Sequence, residues 1–218
     1  TAGRGLVLHI SVRGNQKGES LCCVVINGKQ APREPELAAY VCAAVPHTVG
    51  VLVNSNTKRG NVILGEKYRT LWGQDFLMDT LCGLAFKLSV PSFYQVNRDQ
   101  AEVLYGRALA YAGLTGTETV VDLYCGIGTI TLSLAKRAGR VIAAEIVPAA
   151  IRDAEENAAR NHIENAEFFC GDAAEAAARL EAEGLRPDVI TVDPPRKGLA
   201  PEVIGSIAAM GPARVVYV

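Results

Sequence analysis

The chain has 218 residues, 49% hydrophobic and 21% charged, enough for one large domain or two small ones built on buried cores. No apolar run reaches the ~18 residues that mark a membrane span, and no charged-then-apolar leader opens the sequence. The net charge of −1 selects no partner, but its distribution is uneven: residues 1–97 hold 10 Lys/Arg against 6 Asp/Glu, and residues 98–218 hold 12 against 17. A mildly basic half beside an acidic one suits contact with a polyanion, and it equally suits ordinary solvated surface. Six cysteines stand at 22, 23, 42, 82, 125 and 170, with no Cys-x-x-Cys pair and only three His. That pattern argues against a metal site built from this chain. It fits small hydrophobes in a reducing, cytoplasmic compartment. The first residue is not Met, so an upstream segment is expected.

In chain order, Leu6–Arg13 alternates with period two, Gly14–Gly18 is a turn, and Leu21–Ile26 is a second strand, which predicts a hairpin. Pro35–Val45 reads as a helix closed by Pro46. Val49–Asn54 is a third strand, and a short strand is expected around Val62–Leu64 between Gly60 and Gly65. Phe86–Val90 leads into Pro91-Ser92-Phe93-Tyr94-Gln95-Val96-Asn97. Residues 1–92 therefore read as a small mixed α+β domain.

Asn97 is a plausible N-cap for a helix through Tyr111, ended by Gly113. A strict alternation follows. Strands Thr119–Leu123, Arg140–Glu145, Glu167–Cys170, Asp188–Val192 and Arg214–Val218 are separated by helices Ile130–Ala138, Ala149–Asn161, Ala173–Glu183 and Pro201–Met210. Short β-rich runs alternating with amphipathic helices specify a doubly wound parallel sheet, which binds ligands at the carboxyl ends of its strands. Residues 93–218 form this second domain.

The first strand of the alternation runs into Tyr124-Cys125-Gly126-Ile127-Gly128. The glycines let the backbone approach a ligand or take positive φ, and the following helix start presents unpaired N–H groups. A dinucleotide fingerprint would need a third glycine where Thr131 stands. Asp122 precedes the turn, and Glu145 ends the next strand, 17 residues after Gly128. A carboxylate at Glu145 can accept both hydroxyls of a ribose. Asp122 would repel a pyrophosphate and attract an ammonium. A ribose at one end and a cationic amino acid at the other describe S-adenosyl-L-methionine. Asp122 could instead cap the strand end, and Glu145 could be a solvated strand terminus.

The second signal is Asp193-Pro194-Pro195-Arg196-Lys197-Gly198. Two prolines fix an extended backbone just after a strand and hold Asp193 at the carboxyl edge of the sheet. Enzymes that methylate amino nitrogens of bases typically follow such a pair with an aromatic residue to stack on the flipped base. Arg196 stands there instead, which argues against amino methylation.

Four motifs occur in order: Ser92–Asn97, Asp122–Thr129, Ala144-Glu145 with Ala154-Glu155-Glu156-Asn157-Ala158, and Asp193–Gly198. Together they resemble the RNA uracil-5-methyltransferases, which make 5-methyluridine in 23S rRNA or tRNA. Lys197-Gly198 looks most like the bacterial 23S rRNA branch. The resemblance implies a Rossmann-like class I methyltransferase fold, here its first five strands, behind a central mixed α+β domain. It implies that Gln95, Tyr124, Glu145 and Asp193 contact S-adenosyl-L-methionine, with Gly126 and Gly128 shaping the turn. Gln95 could alternatively cap the following helix, and Tyr124 could be packing.

In this family a cysteine thiolate adds at carbon 6 of uracil, carbon 5 then attacks the methyl group, and a carboxylate base removes the carbon 5 proton before the thiol is eliminated. The resemblance places that cysteine about two residues after Val218 and the base glutamate later still. The 218 residues alone are therefore expected to bind the cofactor without turning over. The family's RNA-binding barrel and iron–sulfur cysteines are not in this stretch either. Alternatives are a tRNA uracil-5-methyltransferase or a non-catalytic cofactor- or RNA-binding module. Arg4, His9, Arg13, Lys17, Lys58 and Arg59 are the candidate RNA contacts of the basic half.

Overall fold

The structure, a computed structural model, describes residues 5–58 and 60–218. The chain divides into two compact units. One holds the described residues up to Asp79 together with Lys87–Pro91; the other holds Thr80–Phe86 and Ser92–Val218.

The first unit is a four-stranded sheet in the order β1-β2-β3-β4, from β1 (Val7–Gly14), β2 (Ser20–Ile26), β3 (Thr48–Ser55) and β4 (Lys67–Gly73). The β1–β2 hairpin is antiparallel, with Gly14 opposite Ser20. β2 and β3 are parallel, so the chain crosses over between them through α1 (Glu34–Ala44). Central β2 is buried along its whole length, as its unbroken apolar run requires. Val24, Ile26, Ala31 and Val53 make a core against which Leu37 and Leu71 pack. Buried Glu34 accepts from the Ala31 amide at 2.8 Å and from Arg69 Nη2 at 2.6 Å. The Arg69 guanidinium holds its carboxyl below the usual carboxylate range.

The strand expected at Val62–Leu64 does not form. The Asn56 Nδ2 amide donates to the carbonyls of Val62 (2.8 Å) and Ile63 (3.0 Å). Asn54 accepts from the Gly65 amide and donates to its carbonyl. Side chains thus take the backbone groups that a neighbouring strand would have used. The strand that pairs with β3 is β4, antiparallel and polar in sequence.

β5 (Phe76–Leu81) and β6 (Leu84–Ser89) form a two-stranded hairpin. Residues 80–86 at its tip belong to the second unit, although they precede position 92. The Cys82 amide donates to Glu102 Oε1 at 2.9 Å, and Ala85 exchanges both backbone hydrogen bonds with the Asn161 side chain.

The second unit begins with α2 (Arg98–Ala112), capped by Asn97, whose side chain accepts from the Gln100 amide, and closed by Gly113 in the left-handed conformation. Five parallel strands follow: β7 (Thr119–Asp122), β8 (Arg140–Glu145), β9 (Ala166–Cys170), β10 (Val189–Val192) and β11 (Arg214–Tyr217). α3 (Thr129–Ala135), α4 (Pro148–Arg160), α5 (Ala173–Ala182) and α6 (Pro201–Met210) connect them. The sheet order is β11-β10-β7-β8-β9. From β7 the chain winds outward through β8 and β9, then returns to the other side for β10. The switch point therefore lies between β7 and β10. α3 ends at Ala135 rather than Ala138, because the Arg137 amide tightens onto Leu134 O at 2.8 Å. One sheet face buries Val121, Leu123, Ile142, Ala144, Ile190 and Val192 against Ala176, Ala177, Val203, Ile207 and Met210 of α5 and α6. On the other face, Cys125, Ala143 and Ile151 form a smaller cluster. No described helix is long and apolar enough to cross a membrane.

Candidate cofactor site

Four carboxylates mark the carboxyl ends of four adjacent strands. Asp122 ends β7, Glu145 ends β8, Asp172 lies two residues past β9, and Asp193 follows β10. Strands lie about 4.8 Å apart, so the row extends over roughly 14 Å, the scale of a nucleoside joined to an amino acid. A row of acids repels a pyrophosphate and attracts a ligand carrying hydroxyl donors and positive charge. Among the described residues, no group of three or more His, Cys, Asp or Glu is arranged to hold a metal ion.

The glycine turn is the floor of this edge. Gly126 and Gly128 adopt φ of 54° and 89°. Among the described residues, no atom beyond its chain neighbours lies within 4 Å of where a Cβ on Gly126 would stand, whereas one on Gly128 would meet Leu132 Cγ at 3.3 Å and Ala154 Cβ at 3.5 Å. Gly126 thus faces open space and Gly128 faces the fold. Glu145 Oε2 accepts from the Gly126 amide at 3.1 Å, and Oε1 accepts from the Val147 amide at 2.9 Å. These bonds fix the carboxylate beside the turn and leave lone pairs for further donors. The buried Asn157 of α4 donates through Nδ2 to the Ile127 carbonyl at 3.2 Å, tethering the turn from the helix side.

Asp122 is only 2% exposed. Thr131 Oγ1 donates to its Oδ2 at 2.6 Å and the Tyr124 amide to its Oδ1 at 3.3 Å. Burial pushes its carboxyl up to about 6; the two donors oppose this and nearby Asp193 adds to it. Half-buried Asp193 is also raised, by desolvation. Thr131, the residue that departs from the dinucleotide fingerprint, is therefore the internal partner of Asp122. A glycine there would leave the acid without its strongest donor.

Of the residues singled out from the sequence, Gly126 and Glu145 are joined directly, and Asp193 lies close enough to Asp122 to disturb it. Half-buried Tyr124 packs on the α5–α6 side of the sheet, its hydroxyl raised by burial and by neighbouring Asp172 and Tyr217. Gln95 is half-buried ahead of α2, and no hydrogen bond among the described residues ties it to the turn. Asp172, Thr131 and Asn157 gain their places only from the structure. The signal for Asp172 was an acid just after the third strand of the alternation, partly hidden by its second task as the N-cap of α5. A cavity of about 520 Å3 between β8, β9 and α5 is lined by Arg140, Glu167, Phe169 and Leu180. None of the residues of the turn or the carboxylate row lines it.

Burial works against the thiolate at four of the six cysteines. Cys125, nearest the turn, is buried, and burial, Asp122 and Glu145 push its thiol far up. Burial also raises Cys22 and Cys82, and takes Cys23 to about 11.

The candidate RNA contacts of the first unit fare unevenly. Arg4 and Arg59 lie outside the described residues. Arg13 donates to the Val90 carbonyl at 3.3 Å, and Lys58 is paired with Glu66 at 2.6 Å. Arg13 and Lys58 are thus engaged within the unit rather than standing clear of it.

A family model described as tRNA (uracil-5-)-methyltransferase matches residues 62–218. An RNA methyltransferase of Halalkalibacterium halodurans, itself described as uncharacterized, is 45% identical over 216 residues, covering 99% of this chain and 47% of that protein. A counterpart in Lactiplantibacillus plantarum is 47% identical over 215 residues, covering 98% of this chain and 47% of its own length. The chain spans about half the length of the curated relatives it matches. Among solved structures, Pyrococcus abyssi tRNA (uracil-54, C5)-methyltransferase in complex with S-adenosyl-L-homocysteine superposes with a TM-score of 0.78 at 23% identity, covering 98% of this chain and 50% of that one. M. jannaschii tRNA m1G37 methyltransferase gives 0.53 at 16% identity, covering 88% and 53%. These two likenesses establish the Rossmann-like methyltransferase fold. S-adenosyl-L-methionine is the methyl donor of the matched family, and the open Gly126 turn flanked by acids fits that molecule. By its fold, its ordered motifs and this match, the chain belongs to the tRNA (uracil-5-)-methyltransferase family.

Proposed function

We propose that this chain carries the cofactor site of an S-adenosyl-L-methionine-dependent enzyme that methylates carbon 5 of a uridine in 23S rRNA. The observation that carries this reading is the Glu145 carboxylate held 3.1 Å from the Gly126 amide, within the row of acids at the switch point. Glu145 takes the ribose hydroxyls. Half-buried Asp193 faces the cationic end, whose positive charge also relieves its repulsion with the buried Asp122. Gly126 leaves room for the ligand, while Tyr124 and Gln95 complete the contacts. When bound, S-adenosyl-L-methionine supplies a methyl group made electrophilic by its sulfonium.

Carbon 5 of uracil needs a thiolate at carbon 6 to become nucleophilic. A thiolate requires an electropositive, accessible setting. Cys125 sits beside two carboxylates, and Cys22 and Cys23 are buried in β2. We assign the nucleophile, and the base that follows it, to residues of the whole protein outside these 218. The choice of 23S rRNA rests on the Lys197-Gly198 continuation. The description of the matched family favours tRNA as the second reading.

The test is methyl transfer from labelled S-adenosyl-L-methionine by the full-length protein, with 23S rRNA and tRNA offered separately. 5-Methyluridine in 23S rRNA, lost on Glu145→Ala, is the expected result. Product in tRNA alone would overturn the rRNA assignment. Cofactor binding without product in either RNA would leave a binding module.

A further inference from the structure

We propose that the turn Pro195–Gly198 is an RNA phosphate grip, its Arg196 and Lys197 side chains engaging backbone phosphates beside the uridine brought to the carboxylate row. This rests on the uracil-5 RNA methyltransferase reading and names a substrate contact for that same site.

The turn has a built geometry. β10 delivers the chain to the switch point, and Pro194 and Pro195 restrict the backbone there. The Gly198 amide donates to the Pro195 carbonyl at 2.8 Å, closing a four-residue turn. Gly198 takes φ of 80°, which favours glycine at the closing position, and the nearest foreign atom to a Cβ there would be Tyr217 Oη at 4.0 Å. Arg196 and Lys197 are therefore the two central residues of a short, closed turn, and both are exposed.

Their charges are unanswered. Arg98, Arg140 and Arg179 of the same unit each pair with a carboxylate. Among the described residues, neither Arg196 nor Lys197 makes an ion pair or hydrogen bond. Two adjacent cations at the centre of one turn repel each other, and no ion pair among the described residues offsets that. The segment carrying them is acidic overall, with 17 Asp/Glu against 12 Lys/Arg over residues 98–218. A polyanion approaching the carboxylate row meets repulsion unless cations at its border hold the phosphates while the base enters. An Arg fork and a Lys point charge are the two side-chain types suited to that task.

The experiment compares the full-length protein with Arg196→Ala/Lys197→Ala and with Arg196→Glu/Lys197→Glu. Binding of a short single-stranded uridine-containing RNA is followed across a salt series, and S-adenosyl-L-homocysteine affinity is measured by calorimetry as a check on the cradle. Two lost phosphate contacts should lower the slope of log affinity against log salt by about 1.4 and weaken binding about tenfold or more. The S-adenosyl-L-homocysteine affinity should stay within about twofold, and Lys197→Arg should retain the slope. An unchanged slope in both double variants would overturn the grip. So would a parallel loss of S-adenosyl-L-homocysteine affinity, which would make the turn part of the cradle. If the unaltered protein neither binds RNA in a salt-dependent way nor methylates it, the RNA reading fails and the grip falls with it.

Discussion

The Thr131 hydroxyl donates to the Asp122 carboxylate across 2.6 Å inside the second unit, where Thr131 is fully buried and Asp122 nearly so. One contact links the strand entering the glycine turn to the helix leaving it. Replacing Thr131 by the isosteric Val keeps the volume but leaves a buried acceptor short of its donor. We expect a loss of about 1–3 kcal/mol in urea unfolding, most of it recovered by Thr131→Ser.

Asp122 also sets a pH dependence of unusual sign. Its folded carboxyl titrates near 6, against 3.8 for an unperturbed Asp. Between those values the folded protein holds a proton that the unfolded chain has released. The stability from this group is therefore complete below the unfolded value and is lost as pH rises through about 6, on the order of 3 kcal/mol in total. Asp122→Asn removes the titration, so the stability of the variant relative to the parent should rise with pH across that window. Parallel melting curves from about pH 4 to 7 would refute the assignment.

The two glycines of the turn should fail differently. Gly126→Ala places a methyl where the protein leaves open space, so it intrudes on a ligand. Gly128→Ala presses on Leu132 and Ala154. Both carry the left-handed penalty of about 1–2 kcal/mol. We expect Gly126→Ala to weaken S-adenosyl-L-homocysteine binding about tenfold or more while Gly128→Ala lowers the melting temperature further. Calorimetric titration and thermal unfolding of the same two variants decide the matter.

Asn157 holds the Ile127 carbonyl from α4. Truncation to Ala orphans that buried carbonyl and should cost about 1–3 kcal/mol, with weaker cofactor binding as the turn loosens. Asn157→Asp should be worse at neutral pH, because a buried carboxylate would then face a carbonyl oxygen. Denaturant midpoints at matched slopes read the order directly.

Cys125 should behave as packing. Its thiol is buried beside Asp122 and Glu145, whereas Cys170 is exposed. Iodoacetamide at mildly alkaline pH should label Cys170 and spare Cys125, as peptide mapping would show. Cys125→Ala in the full-length protein should retain methyl transfer.

Much of the second unit was legible because its signals are local. The apolar runs Val120–Leu123 and Val189–Val192, the Asn97 cap and the Gly113 stop act on neighbouring residues, and neighbours are what a sequence displays. The segment Val62–Gly65 was not legible, because Asn54 and Asn56 satisfy its backbone from a distance that periodicity does not encode. β4 was hidden for a related reason: its Lys and Arg suggest surface, yet Arg69 is paired with the buried Glu34 of α1. The candidate RNA contacts in the first unit were read from charge alone, which cannot tell an engaged Arg13 from a free Arg196.

By itself the sequence determined the alternation of strands and helices, the glycine turn, and the identity of the acids near it, since each follows from residue type and short spacing. Only the tertiary structure decided the rest. Sheet order sets Asp172, Glu145, Asp122 and Asp193 side by side, burial turns Asp122 into an inward partner of Thr131, and closure of the Pro195–Gly198 turn leaves two cations without a partner. Those outcomes depend on which strands become neighbours and which charges find each other in space, and neither is a property of any stretch of chain read alone.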